Sequence, residues 1–594
     1  MRRIKIISWL AGFMVLIAVL ACSNNIACAW GGNGTGTGGG SGTEADPYLI
    51  SNVKDLEYMA SKVNMGELGN AYFRQTGNIV FTSGELYTAI GISSKSFNGT
   101  YDGAGFLISG ININKSSTDY QGLFGCIGAS GTVKNVNLHN SIIQGRQYVG
   151  GIAGDNIGRI QNCSSVANQI NGTNSVGGIS GRINNNAAVE SSYSSSQVNG
   201  GTKVGGLAGY ILFGLVRQCW STGNVSASGE YSGGICGYGN NSTIKDCYNT
   251  GRINGGGANN GGIIGGNLYG TVKNCCNYAA VSGSSNTGGV IGEYNRGTNG
   301  TVSNNYYLQN DTIINNGLYG IAYPQNSSGA EARRSDAMQT DAFAYVLNTG
   351  ATTTNSTIWS RNPDFNTGFP HIADENNHSI CKVIFKNGGS TFSEPYSSYT
   401  GLVLLPVKPT QAGYIFGGWY AENNGDGAAF TADSILAQDL TVYAYWFTDS
   451  GNIPAFEMLD AEKRSGSPQG LRFKTRLFKN TLFTNQKIKE YGTVILPSNL
   501  IPVGETLTME TVPINYNADN LPNSKIVIIQ AVNIFTDNDD YLVFTGVLTN
   551  IPTDCLATDI TARAYVKYID SDNTEKIIYS QPVTISYNSA SAAQ

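Results

Sequence analysis

The stretch Val149-Gly-Gly-Ile-Ala-Gly154 is one of seven near-copies of a motif that places a glycine pair between apolar residues. The next copy reads Val176-Gly-Gly-Ile-Ser-Gly181. The second glycine of the pair occupies positions 122, 151, 178, 206, 234, 262 and 289, so successive copies are 29, 27, 28, 28, 28 and 27 residues apart. So regular a period predicts a repeat architecture in which each repeat packs only on its neighbours.

Two further apolar columns keep the same register. One consists of Val133, Ile160, Val189, Val216, Ile244, Val272 and Val302, and the other of Ile170, Val198, Val225, Ile253 and Val281. Each repeat therefore offers three short β-favouring segments, separated by turns rich in Gly, Asn, Ser and Thr. Equivalent residues stacked from repeat to repeat predict the coils of a parallel β-helix, spaced about 4.8 Å apart.

The glycine motif is followed in each repeat by an apolar residue and, three positions later, often by cysteine. Examples are Val216-Arg-Gln-Cys219-Trp and Ile244-Lys-Asp-Cys247-Tyr. This pattern resembles the GLUG-motif repeat of bacterial surface proteins, which implies a stalk or display element rather than an active site. We therefore expect an all-β chain whose repeats, at 120–308, form a right-handed parallel β-helix of about seven or more coils with helical caps.

The first thirty residues have the order of a secretory signal peptide. Arg2, Arg3 and Lys5 precede an apolar run, and Ala27-Cys-Ala29 supplies small residues at the end. This order predicts a signal peptide at 1–29 that is cleaved between Ala29 and Trp30, followed by a Gly/Thr-rich linker at 30–43. Alternatively, Val19-Leu-Ala-Cys22 resembles a lipoprotein cleavage box, in which Cys22 would carry the lipid. We expect a secreted or cell-surface protein with no later membrane span.

The segments on either side of the repeats suit caps. Residues 44–119 contain Val53, Leu56, Met59 and Val63 at helical spacing, and are expected to cover the open end of the stack and to form its first coil. Residues 309–378 leave the period. Their amphipathic stretch from Ser335 to Asn348 predicts a helix within a C-terminal cap.

The segment 379–447 is a separate module. Its Gly413-Tyr-Ile-Phe-Gly-Gly-Trp-Tyr420 core and closing Leu440-Thr-Val-Tyr-Ala-Tyr-Trp446 run resemble the Listeria–Bacteroides repeat, also called the internalin B-repeat. The resemblance implies a small β-grasp-like domain of exported surface proteins. Trp419 and Trp446 are expected either in its core or, alternatively, on a sugar-binding platform.

The last segment, 448–594, is rich in β-favouring runs. We expect strands near 470–478, 491–497, 506–512, 525–534, 541–547, 560–569 and 576–587. A seven-stranded β-sandwich is the simplest packing for them. Alternation of small and polar residues from Thr561 to Tyr568 predicts a strand with one buried face.

The repeat cysteines fall in an inward-facing column. Cys219, Cys247 and Cys275 are 28 residues apart and so stack on successive coils. Their parallel side chains suit a ladder of free thiols better than disulfides, although stacked neighbours are close enough to bridge. Cys276 alternates outward and is expected to be exposed.

Few residues suit catalysis. The three histidines, His139, His371 and His378, do not form the His-Glu-x-x-His motif of a zinc peptidase. The carboxylates between 120 and 300 are scattered over different repeats, whereas glycoside hydrolysis needs a converging pair. Acidic turns at 537–540 and 570–575 lack the EF-hand pattern, so a calcium site is unsupported and no cofactor is expected.

One polar column carries four of the ten Lys and Arg residues between 120 and 300. It consists of Lys134, Gln161, Glu190, Arg217, Lys245, Lys273 and Ser303. Residues 120–300 contain ten Lys and Arg against five Asp and Glu, although the whole chain has a formal net charge of −5, which gives no indication of nucleic-acid binding. We hypothesise that Lys134, Arg217, Lys245 and Lys273 bind an anionic polymer. The alternative is a solvated face without a ligand.

These patterns predict a non-catalytic, exported cell-surface protein of an adhesin-like or envelope-associated kind. Its partners would be cell-envelope, host or matrix glycans or proteins. Two alternatives stay open. One is a structural stalk that displays the C-terminal domain, and the other is a cryptic β-helix polysaccharide lyase or hydrolase.

Overall fold

The repeats build a parallel β-helix. A computed structural model describes residues 39–82, 85–295, 297, 300–309, 319–325, 328–350, 358–374, 376–423, 429–448, 454–464, 468–479, 481–513, 526–531 and 534–592. They divide into two compact units: the first runs to Cys381 and includes Tyr396–Leu402 and Ile435–Gln438, and the second holds the rest. The proposed signal peptide, with Cys22, Ala29 and Trp30, lies outside the described residues.

Five parallel sheets run along the first unit, so a coil contains up to five short strands rather than the three expected. Sheet 1 consists of Tyr48–Ile50, Tyr72–Gln75, Thr100–Asp102, Thr132–Lys134, Arg159–Gln161, Ala188–Glu190, Leu215–Arg217, Thr243–Lys245, Thr271–Lys273 and Thr301–Ser303. Sheet 2 consists of Ile79–Val80, Leu107–Ser109, Asn137–His139, Ser164–Val166, Tyr193–Ser194, Trp220–Ser221, Tyr248–Asn249, Cys276–Asn277, Asn305–Leu308 and Ala330–Arg333.

The other three sheets close the coil. Sheet 3 consists of Asn112–Asn114, Ile142–Gln144, Gln169–Asn171, Gln197–Gly200, Val225–Ala227, Ile253–Gly255 and Val281–Ser282. Sheet 4 consists of Gln147–Gly150, Asn174–Gly177, Thr202–Gly205, Ser232–Gly233, Ala258–Gly261 and Ser285–Gly288. Sheet 5 consists of Phe124–Ile127, Ala153–Asn156, Ser180–Asn184, Ala208–Leu212, Cys236–Asn240, Ile264–Leu268, Ile291–Asn295 and Ile321–Tyr323.

The glycine pair is required where neighbouring coils approach each other. A Cβ atom on Gly178 would lie 2.2 Å from the carbonyl oxygen of Gly206 on the next coil, and one on Gly234 would lie 2.2 Å from that of Gly262. The glycine column therefore lets backbones pass at a distance that no side chain allows. This explains why the motif recurs with the period of the coil.

Aliphatic ladders fill the interior. Val149 pairs with Val176 and Val176 with Val204, and all three are fully buried in one core that extends from Ile50 to Ala330. Cys163, Cys219, Cys247 and Cys275 are also buried in it and form no disulfide. The Sγ atoms of Cys219 and Cys247 lie 3.1 Å from the carbonyl oxygens of Arg217 and Lys245, so the thiols have acceptors on their own coils.

Helix α1 (Val53–Met65) packs its apolar side into the first coils. Asn52 caps it by accepting a hydrogen bond from the Asp55 backbone N–H, and Gly66 ends it at φ 87°. Leu56, Met59, Ala60 and Val63 are buried and belong to the same core as the first strands, at the spacing that predicted the helix.

The expected helix at 335–348 is two helices, α2 (Ser335–Met338) and α3 (Asp341–Gly350). Their buried side chains, including Met338, Phe343 and Leu347, pack with Tyr248, Cys276 and Tyr306 of three successive coils. The contact is thus against the side of sheet 2. The expectation that Cys276 is exposed is wrong, because this segment covers it completely.

The second unit begins with a five-stranded sheet in the order Ser390–Ser393, Val383–Asn387, Leu440–Thr448, Tyr414–Tyr420 and Ala429–Phe430. Val383–Asn387 and Leu440–Thr448 pair in parallel, whereas the other strands pair antiparallel. Trp419 is only 3% exposed and packs against Phe385, so it is a core residue. Trp446 is half-buried, and its indole N–H donates to Asn387 Oδ1.

Two sheets follow, in which all but one strand pair is antiparallel. One has the order Ile534–Asp537, Tyr541–Thr549, Gly470–Phe478, Phe456–Lys463 and Ser591–Ala592. The other has Val527–Gln530, Ile488–Pro497, Ile560–Ile569 and Glu575–Tyr579, with Val583–Ile585 also on Ile560–Ile569. Helix α4 (Thr481–Thr484) and three 3₁₀ turns, Asn366–Gly368 in the first unit and Ser498–Leu500 and Thr553–Cys555 here, complete the elements.

These two sheets form the expected sandwich, with corrections in detail. Phe473 of the first sheet and Ile495 and Ala562 of the second share one core. The described residues contain ten strands in these sheets instead of the seven expected: 506–512 forms none, and the expected strands 525–534 and 576–587 are each replaced by two. Leu507 packs instead on Tyr565, so the strand that was expected to expose one face is covered on both.

Candidate ligand-binding face

The basic column lies where the sequence places it, at the ends of the strands of sheet 1. Glu190 pairs with Arg217, Arg217 with Lys245 and Lys245 with Lys273 in the parallel register, so these residues follow one another on successive coils. Lys134 is separated from Arg217 by two rungs, Gln161 and Glu190. The structure therefore brings together Arg217, Lys245 and Lys273, with Lys134 further along the same line.

Carboxylates neutralise part of this column. Glu190 is 5% exposed and forms ion pairs with Arg159, at 2.6 Å, and with Arg217. Lys134 Nζ lies 3.7 Å from Asp102 Oδ2. Asp102 and Glu190 precede Lys134 and Arg217, respectively, by about one coil in the sequence. The spacing of 27 residues between Glu190 and Arg217 could therefore have revealed that ion pair.

Lys245 and Lys273 differ from the other cations. Among the described residues, no carboxylate lies within 4.0 Å of either ammonium group. Asp246 is the nearest acid in the sequence, but its side chain is buried and accepts a hydrogen bond from Asn274 Nδ2 at 2.7 Å. Burial raises the pKa of Asp246, against the opposing influence of Asn274 and the two lysines. The positive potential of the column is consequently concentrated at Lys245 and Lys273.

A corner of left-handed residues follows the basic column. Its members are Asn135, Asn162, Ser191, Gln218, Asp246, Asn274 and Asn304, with φ between 47° and 56°. Asparagine tolerates this conformation better than most residues. The amides also bond from coil to coil, since Asn162 Nδ2 donates to Asn135 Oδ1 at 2.7 Å. The corner therefore presents a ladder of side-chain amides.

An aromatic column lies beyond the corner, on sheet 2. The rings of Tyr193 and Trp220 are 4.7 Å apart and 3° from parallel, and those of Trp220 and Tyr248 are 5.8 Å apart and 4° from parallel. Tyr248 is 2% exposed because it packs with Trp359 and with side chains of α2 and α3, whereas Tyr193 and Trp220 are half-buried. Trp220 therefore has a ring against each of its faces and offers only an edge, whereas Tyr193 has a stacked ring on one face alone.

A shallow depression of about 110 Å³ adjoins these two rings. Its lining combines them with amides and hydroxyls of the corner and of sheet 2: Gly105, Asn135, Asn137, Asn162, Cys163, Ser164, Ser191, Tyr193 and Trp220. Aromatic faces beside a few polar groups are the composition of small-molecule sites. The basic column, the amide corner and the aromatic pair together form what we call the ligand face.

Two buried carboxylates of the coils, Asp155 and Glu190, are held by arginine side chains. Asp155 receives two hydrogen bonds from Arg182, at 2.8 and 2.7 Å, and Glu190 is held between two arginines. The described residues contain no group of three or more His, Cys, Asp or Glu placed to hold a metal ion. In the acidic turn at 570–575, Asp570 accepts hydrogen bonds from Asp572 and Thr574 and so closes the turn.

Comparison with known proteins supports the repeat architecture. Residues 382–445 match the Listeria-Bacteroides repeat domain, within the segment where the sequence predicts it. A halomucin of Haloquadratum walsbyi is 30% identical over 158 residues, which is 25% of this chain and 2% of that protein. A protein described as a putative Gly-rich membrane protein, from Evansella cellulosilytica, is 31% identical over 178 residues, 28% of this chain and 19% of its own length.

The chain therefore spans less than a fifth of the length of either relative. No solved structure matches it. Among the described residues, no helix has both the length and the apolar character needed to cross a membrane. The chain is a β-helix repeat protein with a Listeria-Bacteroides repeat module.

Proposed function

We propose that this chain is a non-catalytic, exported cell-surface protein whose β-helix binds anionic polymers of the cell envelope, host or matrix. The observation that carries the proposal is the pair Lys245 and Lys273, stacked on adjacent coils with no carboxylate of the described residues within 4.0 Å of either ammonium group. Two lysines on neighbouring strands, about 4.8 Å apart, together produce a stronger positive potential than either would alone. Polymers with regularly spaced negative charges fit such a column.

The proposed role at the cell surface rests on the similarity of this chain to other proteins. One relative is named a halomucin, another is described as a Gly-rich membrane protein, and the module at 382–445 matches the Listeria-Bacteroides repeat. The GLUG-type and internalin B-type resemblances of the sequence support the same surface role. The exported chain would begin at Trp30 after signal-peptide cleavage between Ala29 and Trp30. Alternatively, it would be a lipoprotein that carries its lipid on Cys22.

Catalysis fits this chain less well than binding. Asp155 and Glu190 are occupied by arginine side chains, so neither is free to act as an acid or a nucleophile on a sugar. A stalk without a ligand is the second candidate. It is favoured by the unbroken core from Ile50 to Ala330, which makes the β-helix a stable spacer by itself.

The test measures binding of the full chain to immobilised dextran sulfate and to uncharged dextran over a range of salt concentrations. Replacing Lys245 and Lys273 by Gln should weaken binding to the sulfated polymer and reduce its salt dependence. In the matched control, Gln replaces two exposed lysines, Lys54 in α1 and Lys95 beside the end of α1, so that the net charge changes equally. Unchanged binding in the Lys245/Lys273 variant, or equal loss in both, would favour the stalk.

A further inference from the structure

A second surface of the β-helix holds tyrosines in a backbone conformation that disfavours them. Tyr120, Tyr148 and Tyr231 have φ values of 60°, 56° and 67° and occupy the same position on different coils. On the other coils this position holds Ser175, Lys203, Asn259 and Asn286, all left-handed as well. The backbone thus requires the left-handed region at every coil.

Asparagine would satisfy that requirement with less strain, as Asn259 and Asn286 demonstrate. A bulky aromatic residue at positive φ is uncommon, and such outliers concentrate at sites that bind ligands. Because the rings of Tyr120, Tyr148 and Tyr231 are only half-buried, the core does not account for their presence. Glu293 interacts with the Tyr231 side chain and accounts for it in part, so the rings of Tyr120 and Tyr148 are the features that need an explanation.

A neighbouring column on sheet 5 adds two more tyrosines and a cation. Arg182, Tyr210 and Tyr238 lie on three successive coils. The next rung is Gly266, where a Cβ atom would lie 2.7 Å from ring atoms of both Tyr231 and Tyr238. The missing side chain leaves room for these two rings, which meet edge to face at 4.8 Å.

The aromatic rings form two groups along this surface. Tyr120 and Tyr148 stack at 5.2 Å and 16°, and the Arg182 guanidinium lies 4.4 Å from the Tyr148 ring centre. Tyr210 and Tyr238 are 5.8 Å apart. We call these five tyrosines, with Arg182 and Lys203, the tyrosine face.

Lys203 is the distinctive charge of the tyrosine face. Its ammonium group lies 4.7 Å from the Tyr210 ring centre and 5.3 Å from that of Tyr238. Within the described part of the chain, no carboxylate lies within 4.0 Å of it, whereas Arg182 is held by Asp155. Burial lowers the pKa of Lys203, as expected for a cation that lacks a compensating acid.

We propose that the tyrosine face binds a carboxylate-bearing polysaccharide strand of the polyuronate class. Tyrosine rings stack against the sugar rings, and Lys203 pairs with a uronate carboxylate between them. Tyr120 and Tyr148, and likewise Tyr210 and Tyr238, lie on adjacent coils about 4.8 Å apart, a spacing that suits a ligand that itself repeats along its length. This inference is independent of the proposed function, since it concerns other residues and requires sugar rings as well as charge.

The test is calorimetric titration of the full chain with three probes: a hexauronate from alginate, cellohexaose and hexaglutamate. The expected result is binding of the hexauronate, with weaker binding of the neutral sugar and of the charged peptide. Lys203→Met keeps the apolar stem beside the rings and should weaken hexauronate binding at least about tenfold, because an ion pair and its desolvated charge are lost.

Tyr148→Asn and Tyr231→Asn remove a ring while keeping a residue that the left-handed position accepts. Each should weaken hexauronate binding about threefold to tenfold with unchanged or higher thermal stability. Lys54→Met, at an exposed position of α1 outside both faces, is the matched control and should leave this binding unchanged. Absence of hexauronate binding, equal binding of hexaglutamate, or retained affinity in Lys203→Met would each overturn the proposal.

Discussion

A Cβ atom on Gly206 would lie 2.2 Å from the carbonyl oxygen of Gly234, at the same position one coil further on. The obstacle is backbone, which cannot turn away as a side chain can. The same relation recurs at Gly178 and Gly234, so the closest approach between coils is repeated along the stack. Close backbone contact between neighbouring coils therefore requires glycine once per coil, which explains the period of the sequence.

Gly206→Ala should destabilise the β-helix by about 3 kcal/mol, because two adjacent coils must separate to admit the methyl group. The measurement is the free energy of unfolding from denaturant titration. Gly389→Ala is the control: its Cβ atom would meet nothing within 4 Å, and its φ is not in the left-handed region. A loss below about 1 kcal/mol for Gly206→Ala would show that the coils are looser than the structure has them.

The buried thiols predict a loss of stability at alkaline pH. Burial raises the pKa of Cys163 to about 12 and those of Cys219 and Cys247 well above the usual range, whereas an unfolded thiol titrates near pH 8.5. Between these values the unfolded state holds fewer protons than the folded state. The free energy of unfolding should therefore fall as pH rises above about 8.5.

Cys247→Ser tests this assignment, because Ser192 already occupies the same column. In this variant the free energy of unfolding should fall less steeply with rising pH, by up to about 1.4 kcal/mol per pH unit, which is the contribution of one titrating group. Iodoacetamide should likewise leave Cys163, Cys219 and Cys247 unmodified until denaturant is added. Rapid labelling of the native protein at pH 8 would contradict the buried ladder.

The sequence predicted the parts of the fold that repeat and missed those that depend on contact between distant segments. The register of Arg217, Lys245 and Lys273 followed directly from the period. The burial of Cys276 did not, because the α2–α3 segment that covers it comes about 60 residues later and has no repeat pattern. The tyrosine face was also missed, although Tyr120, Tyr148 and Tyr231 share one column, since left-handed backbone is not visible in hydrophobic periodicity.

Arg476 carries a further prediction, within the second unit. Its guanidinium donates to Glu457 at 2.8 Å and to the Tyr420 hydroxyl at 2.6 Å, and so joins the Listeria-Bacteroides repeat module to the sandwich strands. Burial raises the pKa of Glu457, and Arg476 opposes the rise. Arg476→Met should cost about 2–3 kcal/mol at pH 7, because Glu457 is then charged and half-buried without its partner.

The pH dependence of that loss identifies its cause. Without Arg476, the folded-state pKa of Glu457 lies further above its unfolded value, so the penalty is present above about pH 4.3 and shrinks as pH falls toward it. The double variant with Glu457→Gln should recover part of the loss at pH 7. A deficit that is independent of pH and unchanged in the double variant would point to lost packing instead.

Glu190 offers the sharpest test of how the ligand face is controlled. Its buried carboxylate holds Arg159 and Arg217, whose side chains are 48% and 37% exposed. Glu190→Gln should cost only about 1 kcal/mol, because water can solvate both arginines once they are released. Binding of dextran sulfate should nevertheless increase at low salt, since Arg217 then adds a free charge beside Lys245.

The control is Glu230→Gln, which makes the same change of net charge at an exposed residue outside the ligand face. An equal gain in both variants would attribute binding to net charge, whereas a gain confined to Glu190→Gln would place the polymer on the column that contains Arg217.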